Sequence, residues 1–339
     1  MSQYADLATP DPEYAALFAQ MPRRSPTQDI QLIRERVNKF FISITKEHFR
    51  QYLPEESQYR VEDHQVPTSV GTTIVRTLTP APLKGKESMF PCLFFIHGGG
   101  FTAGSVEMDD FRLRIVCVEL QIAIILAEYR LAPENPFPTS LNDCYNSLKW
   151  AVEHAQKFGA SLAKGFLIGG TSAGANLVAT LVHRARDDAF FRDTPLTGQV
   201  LQMPLVVHPD AYPEKFKPEL LSISIEEQND MTILTKTMVY DMYRHLRAPP
   251  FDPEVSPLLY PSHEGLPSTF VQVAGLDPLR DEGLLYEKVL RAAGVKTKLI
   301  VYPGVPHGFN LSFPTALKAS RKFEDDLKIG LEWLLNGAA

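Results

Sequence analysis

Ser172 stands in the run Gly170-Thr171-Ser172-Ala173-Gly174. This G-x-S-x-G spacing lifts a serine hydroxyl onto a sharp strand-to-helix turn, with glycines where the backbone must fold tightly. Serine is a weak nucleophile until a base takes its proton. His97-Gly98-Gly99-Gly100 lies upstream and can present N–H groups with no side chain in the way. Gly99 and Gly100 would supply two donors to an oxyanion, and the Ala173 N–H, at a positive helix N-terminus, a third. An acid and a base are then expected after the serine in chain order. Asp277 fits the first role, because it ends an apolar run, Phe270–Ala274, in Gly275-Leu276-Asp277-Pro278. His307 fits the second, between Gly304 and Gly308 on the loop after the final strand. Asp281 and Glu282 are nearby alternatives that read as first-turn acids of the next helix. His208 is the rival base. His48, His64, His154, His183, His245 and His263 fall in helical or polar surroundings and read as solvated. His97 reads as a loop anchor. The competing reading of Gly170–Gly174 is a plain glycine-rich turn of the phosphate-binding kind. Together these are the parts of an acyl-transfer site.

Such a site needs strands to carry it. Val61–Thr79 reads as two antiparallel strands turning near Gly71. Apolar runs at Cys92–Ile96, Ile122–Ala127, Phe166–Ile168, Val200–Val206, Thr269–Val273 and Thr297–Tyr302 read as buried strands. Helical patterns alternate with them, over about 109–120, 140–157, 173–186, 280–293 and 314–335. The alternation predicts an α/β fold with a mostly parallel, doubly wound, eight-stranded sheet. Residues 12–50 read as mostly helical, with Thr27 or Ser25 capping the helix that carries Ile30, Ile33 and Val37. About sixty residues separate the strand near 200–206 from the next, too many for a plain connection. They include a helix over Thr232–Arg247. Insertions at the C-terminal ends of parallel strands lie over the crevice where ligands bind. The expected organisation is therefore cap helices over 1–55, core over 56–207, a cap insertion over 208–262, and core again over 263–339. Aromatic and thioether side chains in the two cap pieces, Phe40, Phe41, Met242 and Tyr243 among them, would roof a bounded pocket. Phe101, after the oxyanion glycines, and Met203, at a strand end, are candidates for its walls.

The 339 residues carry a formal net charge of -6, which suggests neither nucleic acid nor an anionic membrane as partner. The longest apolar run, Ile122–Ala127, is too short to span a bilayer. The acidic, proline-containing first twenty residues do not read as a targeting peptide. Cys92, Cys117 and Cys144 show no pairing or metal spacing, which points to a reducing, cytoplasmic setting. Neither a metal-ligand pattern nor a G-x-G-x-x-G opening a helix is present, so no cofactor is expected.

The chain resembles the hormone-sensitive-lipase family of α/β-hydrolases. The matching segments are His97–Phe101, Glu128-Tyr129-Arg130-Leu131-Ala132-Pro133-Glu134, Gly170–Leu177, Asp277–Glu282 and His307-Gly308-Phe309. Thr171 is similar to the G-T-S-A-G subgroup, whereas others carry G-D-S-A-G, and Ala175 replaces a frequent glycine. The resemblance implies hydrolysis of carboxylic esters with short acyl chains, under a cap, with a small-molecule ester as partner. It also implies a homodimer and a structural role for Tyr129–Glu134. The insertion is similar in style to those of hydrolases from fungal biosynthetic pathways. The same parts also serve acyl transfer, lactonisation or release of a biosynthetic product. Without a base, the fold can serve as a small-molecule receptor.

Overall fold

The computed structural model describes residues 3–21, 27–68, 70–227 and 229–339. Its centre is an eight-stranded sheet in the order β1-β2-β4-β3-β5-β6-β7-β8. The strands are β1 Tyr59–Pro67, β2 Thr72–Pro80, β3 Cys92–Ile96, β4 Ala123–Ala127, β5 Phe166–Thr171, β6 Gly198–Gln202, β7 Ser268–Leu276 and β8 Thr297–Pro306. β1 pairs antiparallel with β2, and β2 with β4; every other pairing is parallel. The helices are α1 Pro12–Phe18, α2 Ile30–Val37, α3 Ile44–Arg50, α4 Asp110–Leu120, α5 Thr139–His154, α6 Ala173–Asp187, α7 Lys236–Leu246, α8 Arg280–Ala292, α9 Phe309–Ser312 and α10 Lys318–Leu335.

Why the sheet lies between two helical layers is visible in β3. All five of its residues are buried. Cys92, Phe94 and Ile96 join the cluster that holds Leu141 and Leu148 of α5 and Leu177 and Leu181 of α6. Leu93 and Phe95 join Leu113 and Val116 of α4 and Leu327 and Leu331 of α10 on the other side. Successive side chains on a strand point to opposite faces, so a continuous apolar run demands cover on both. Removing a side chain such as Phe94 would cost about 3–5 kcal/mol.

The N-terminal residues dock on the far end of the sheet. Asp11 donates its N–H to the Gly304 carbonyl at 3.0 Å. A Cβ on Gly275 would meet Leu7 O at 2.2 Å, so the chain passes against β7 at backbone distance. The Tyr14 hydroxyl donates to Met231 O in the long connection between β6 and β7. α2 is capped by Asp29, whose carboxylate accepts from Gln31 and Leu32 N–H. Thr27 instead accepts from Asp29 N–H, and Ser25 lies outside the described residues. A π-helical turn, Asn38–Ser43, joins α2 to α3.

Three element readings are corrected. β6 stops at Gln202, because Met203 takes φ 47° and leaves the sheet. The final helix starts at Lys318 and is preceded by the short α9. The helix of the insertion starts at Lys236, with Thr235 accepting from Met238 N–H as its cap. The three cysteines are free and buried, and among the described residues no helix is long and apolar enough to cross a membrane.

Candidate functional site

Ser172 sits between β5 and α6 at φ 56° and ψ -119°, a conformation that side-chain-bearing residues rarely adopt. The glycines around it are required by contact. A Cβ on Gly174 would lie 2.2 Å from Ile96 O, and one on Gly170 2.6 Å from the Gly174 carbonyl carbon. The turn is thus pressed against the end of β3, where the His97–Gly100 loop begins.

His307 and Asp277 arrive from the ends of β8 and β7. Ser172 Oγ lies 2.9 Å from His307 Nε2, and His307 Nδ1 lies 2.7 Å from Asp277 Oδ2. Asp277 is 1% exposed, and its other oxygen accepts from Leu279 N–H at 2.9 Å. Nδ1 must carry a proton to meet a carboxylate, which leaves Nε2 free to accept from the serine hydroxyl. This line of three groups can move a proton from serine to imidazole and hold the resulting charge beside the carboxylate.

Gly99 and Gly100 have φ 113° and 61° and turn their loop back on itself, with Ala103 N–H donating to Gly99 O at 3.0 Å. Among the described residues, the N–H groups of Gly99, Gly100 and Ala173 donate to no backbone carbonyl outside helices and strands. His97 anchors this loop as expected. Its Nδ1 lies 2.7 Å from Gly98 O, and its ring stacks on Tyr129 at 4.3 Å between centroids. Tyr129 also donates its hydroxyl to His97 O at 3.2 Å. Phe101 is buried at φ 62°, and its carbonyl accepts from Ala132 N–H at 2.9 Å. Met203 is buried beside the histidine loop, with Sδ 3.2 Å from Gly308 N.

Both outlying segments reach this centre. A Cβ on Gly100 would meet the Met242 side chain of α7 at 2.7 Å, so Met242 rests on the His97–Gly100 loop. Phe41 comes within 3.2 Å of the corresponding position on Gly308, next to His307. Arg34 of α2 donates to Thr102 O and Ala132 O and pairs with Glu134 at 2.7 Å. Nothing in the sequence signalled Arg34 in that place.

The rival groups lie elsewhere. His208 packs on Tyr243 at 4.3 Å, accepts from Asp210 N–H, and is held below the ordinary histidine range by burial. Asp281 and Glu282 do start α8, but they are not solvent-facing acids. Asp281 Oδ2 accepts from Leu221 and Ser222 N–H, while its other oxygen pairs with Arg280. Glu282 Oε2 accepts from Val206 and Val207 N–H. Burial pushes the Glu282 carboxyl well above the usual range, and the Asp277 and Asp281 charges add to the effect. The two acids therefore tie two points in the first part of the long connection, at 206–207 and 221–222, to the helix that follows Asp277. His183 and His263, expected at the surface, are buried against each other, with ring nitrogens 3.3 Å apart. Among the described residues, no group of three or more His, Cys, Asp and Glu side chains could hold a metal ion.

A family model for the alpha/beta hydrolase fold matches residues 93–311. The chain is 36% identical, over 84% of its length and 82% of the relative's, to an AB hydrolase superfamily protein of Schizosaccharomyces pombe. It is 35% identical to Carboxylic ester hydrolase LipN of Mycobacterium tuberculosis, over 74% of this chain and 64% of that one. Among solved structures it is similar to Vibralactone Cyclase, with a TM-score of 0.94, 41% identity, and coverage of 98% and 96%. It is also similar to the carboxylesterase EstE1 from a metagenomic library, with a TM-score of 0.77, 28% identity, and coverage of 91% and 97%.

Proposed function

We propose a mechanism from one premise: this chain belongs to the α/β-hydrolase family, in its hormone-sensitive-lipase-like branch, and is an ester hydrolase. Ser172 Oγ attacks the ester carbonyl carbon while His307 Nε2 takes its proton. Asp277 keeps the imidazole in the required tautomer and stabilises its charged form. The Gly99, Gly100 and Ala173 N–H groups hold the tetrahedral oxyanion. His307 then gives its proton to the departing alkoxide, which leaves as the alcohol. Water, deprotonated by His307, attacks the acyl-enzyme, and Ser172 departs with its proton restored. The observation that supports this reading is the Ser172–His307–Asp277 line, at 2.9 Å and 2.7 Å, beside a glycine loop whose Gly99 and Gly100 N–H groups, among the described residues, donate to no backbone carbonyl.

Residues 1–55 and 208–262 are the cap in this reading. What supports that is the contact of Phe41 and Met242 with the glycines beside His307 and in the oxyanion loop. Substrates are esters of short acyl chains. The buried free thiols support a cytoplasmic setting. The test is Ser172→Ala, expected to lower kcat on an aryl acetate by about 10⁴ to 10⁶ with folding intact. A variant keeping a tenth of the activity would remove the assignment.

Similarity to Vibralactone Cyclase favours a second reading, in which a hydroxyl of the substrate itself displaces Ser172 and closes a lactone. Mass spectrometry of the product from a hydroxy-acyl ester separates the two, since the free acid is heavier than the lactone by one water.

A further inference from the structure

Thr171, next to the serine, carries a buried hydroxyl that the mechanism above does not use. Its Oγ1 lies 2.8 Å from Gln202 Oε1, at the end of β6. Arg112 Nη2 lies 2.9 Å from the same oxygen. Gln202 Nε2 continues to Gln272 Oε1 on β7 at 2.7 Å. Gln272 Nε2 lies 2.6 Å from the Tyr302 hydroxyl and 3.0 Å from Phe323 O. The Tyr302 hydroxyl donates to Asp326 Oδ2 at 2.7 Å. Arg112, Gln202 and Gln272 are at most 2% exposed.

The direction of this chain is forced from both ends. A guanidinium only donates, so Gln202 must face Arg112 with its oxygen. A backbone carbonyl only accepts, so Gln272 must face Phe323 with its amide nitrogen. The two assignments agree where the glutamines meet. Gln202 Oε1 is therefore a fixed acceptor, and the Thr171 hydroxyl donates to it. Gln202 also accepts the Ser172 N–H on its backbone oxygen at 2.8 Å. One residue thus grips the peptide 171–172 on both sides. A Cβ on Gly98 would lie 2.9 Å from Thr171 O, so that peptide packs directly on the oxyanion loop. Ser172 is held at a positive φ of 56°, a strained turn that persists only where its surroundings over-determine it.

We propose that Gln202, oriented by Arg112, is a positioning residue: it holds the Thr171–Ser172 peptide so that Ser172 Oγ and the Ala173 N–H stay in register with Gly99 and Gly100. The proposal rests on the assignment of Ser172 as nucleophile. It adds a residue that touches no reacting atom and acts through the threonine.

Thr171→Val removes the hydroxyl at nearly constant shape, and Thr171→Ser keeps it. Thr171→Val is expected to lower kcat on a p-nitrophenyl ester about 10- to 100-fold, with KM within about threefold. Covalent labelling by a fluorophosphonate should slow by the same factor. Thr171→Ser should return kcat to within about threefold of the starting enzyme. Gln202→Leu should reproduce the loss, and adding Thr171→Val to it should change little, because the two act as one contact. If Gln202→Leu does not fold, the threonine pair decides alone. Wild-type kcat and labelling in Thr171→Val would overturn the proposal. So would equal losses in the valine and serine variants, or a loss that only follows the folded fraction. An active Ser172→Ala would instead remove the nucleophile assignment beneath it.

Discussion

Gly99 and Gly100 are neighbours with the same proposed task, yet the structure separates the consequences of adding one methyl group to each. A Cβ on Gly99 would stand 2.1 Å from Ala103 O and 2.7 Å from the Ala103 carbonyl carbon. Real Cβ contacts do not fall below 3.0 Å, and the obstacle is backbone. The loop must therefore open by about 1 Å, which stretches an N–H···O contact of about 2.9 Å beyond hydrogen-bond range. Losing one oxyanion donor costs about 10²- to 10³-fold in kcat. At Gly100 the obstacle is the Met242 side chain, 2.7 Å from the new Cβ, and a thioether can turn aside. The positive φ of 61° adds a stability cost of about 1–2 kcal/mol. Gly100→Ala should therefore lose less than about tenfold in kcat, and Met242→Ala should recover part of that loss; Gly99→Ala should not respond to Met242→Ala. The assay is kcat on p-nitrophenyl acetate, with folded fractions checked by circular dichroism. Gly99→Ala within threefold of the parent enzyme would refute the placing of that amide in the oxyanion hole.

Across a p-nitrophenyl ester series, kcat/KM should peak at about C2 to C6 and fall steeply by C10. Met242→Ala should move the maximum to longer chains, whereas a maximum at C12 in the parent enzyme would contradict a bounded pocket. His183 is fully buried, stacked on Tyr260 at 3.7 Å, and faces His263, Arg186 and Asp187. Burial, aided by the His263 and Arg186 charges, holds it well below its ordinary value of 6.5. The folded state thus binds fewer protons than the unfolded one. This stability is complete above about pH 6.5 and is lost as pH falls toward the folded value, with about 2 kcal/mol gone by pH 5. Urea unfolding at pH 8 and pH 5 should show a smaller difference for His183→Gln; equal differences would mean that the ring is protonated in the fold.

What could be read from the residues was what local chemistry writes into local order. β3 and β4 are continuous apolar runs, and such runs have one use in an alternating pattern. Ser172, Asp277 and His307 each follow a strand and sit beside turn-forming residues, so their meeting at one end of a parallel sheet follows from topology. The unread part depends on partners distant in sequence. Arg112 lies on a helix whose pattern does not tell a buried guanidinium from an exposed one. His183 looks like a polar position on α6 until Tyr260 and His263 cover it. Glu282 looks like an acid at a helix start, yet its work is to accept N–H groups from residues more than seventy positions earlier. One signal was present and unused: Gln202 lies within the run Val200–Val206 read as a buried strand, and a polar side chain in such a place must have a partner.

The docking of Leu7 and Asp11 against Gly275 and Gly304 sets an order of events during synthesis. These residues emerge from the ribosome well before their binding surface, which is formed by β7 and β8. Until then the leading segment has nowhere to settle, while β3, β4 and β5 can already associate. Long-range closure of this kind is slow compared with local pairing. The Leu7–Asp11 segment can therefore settle only once β7 and β8 are made, a contact that joins an earlier stretch of the chain to a later one.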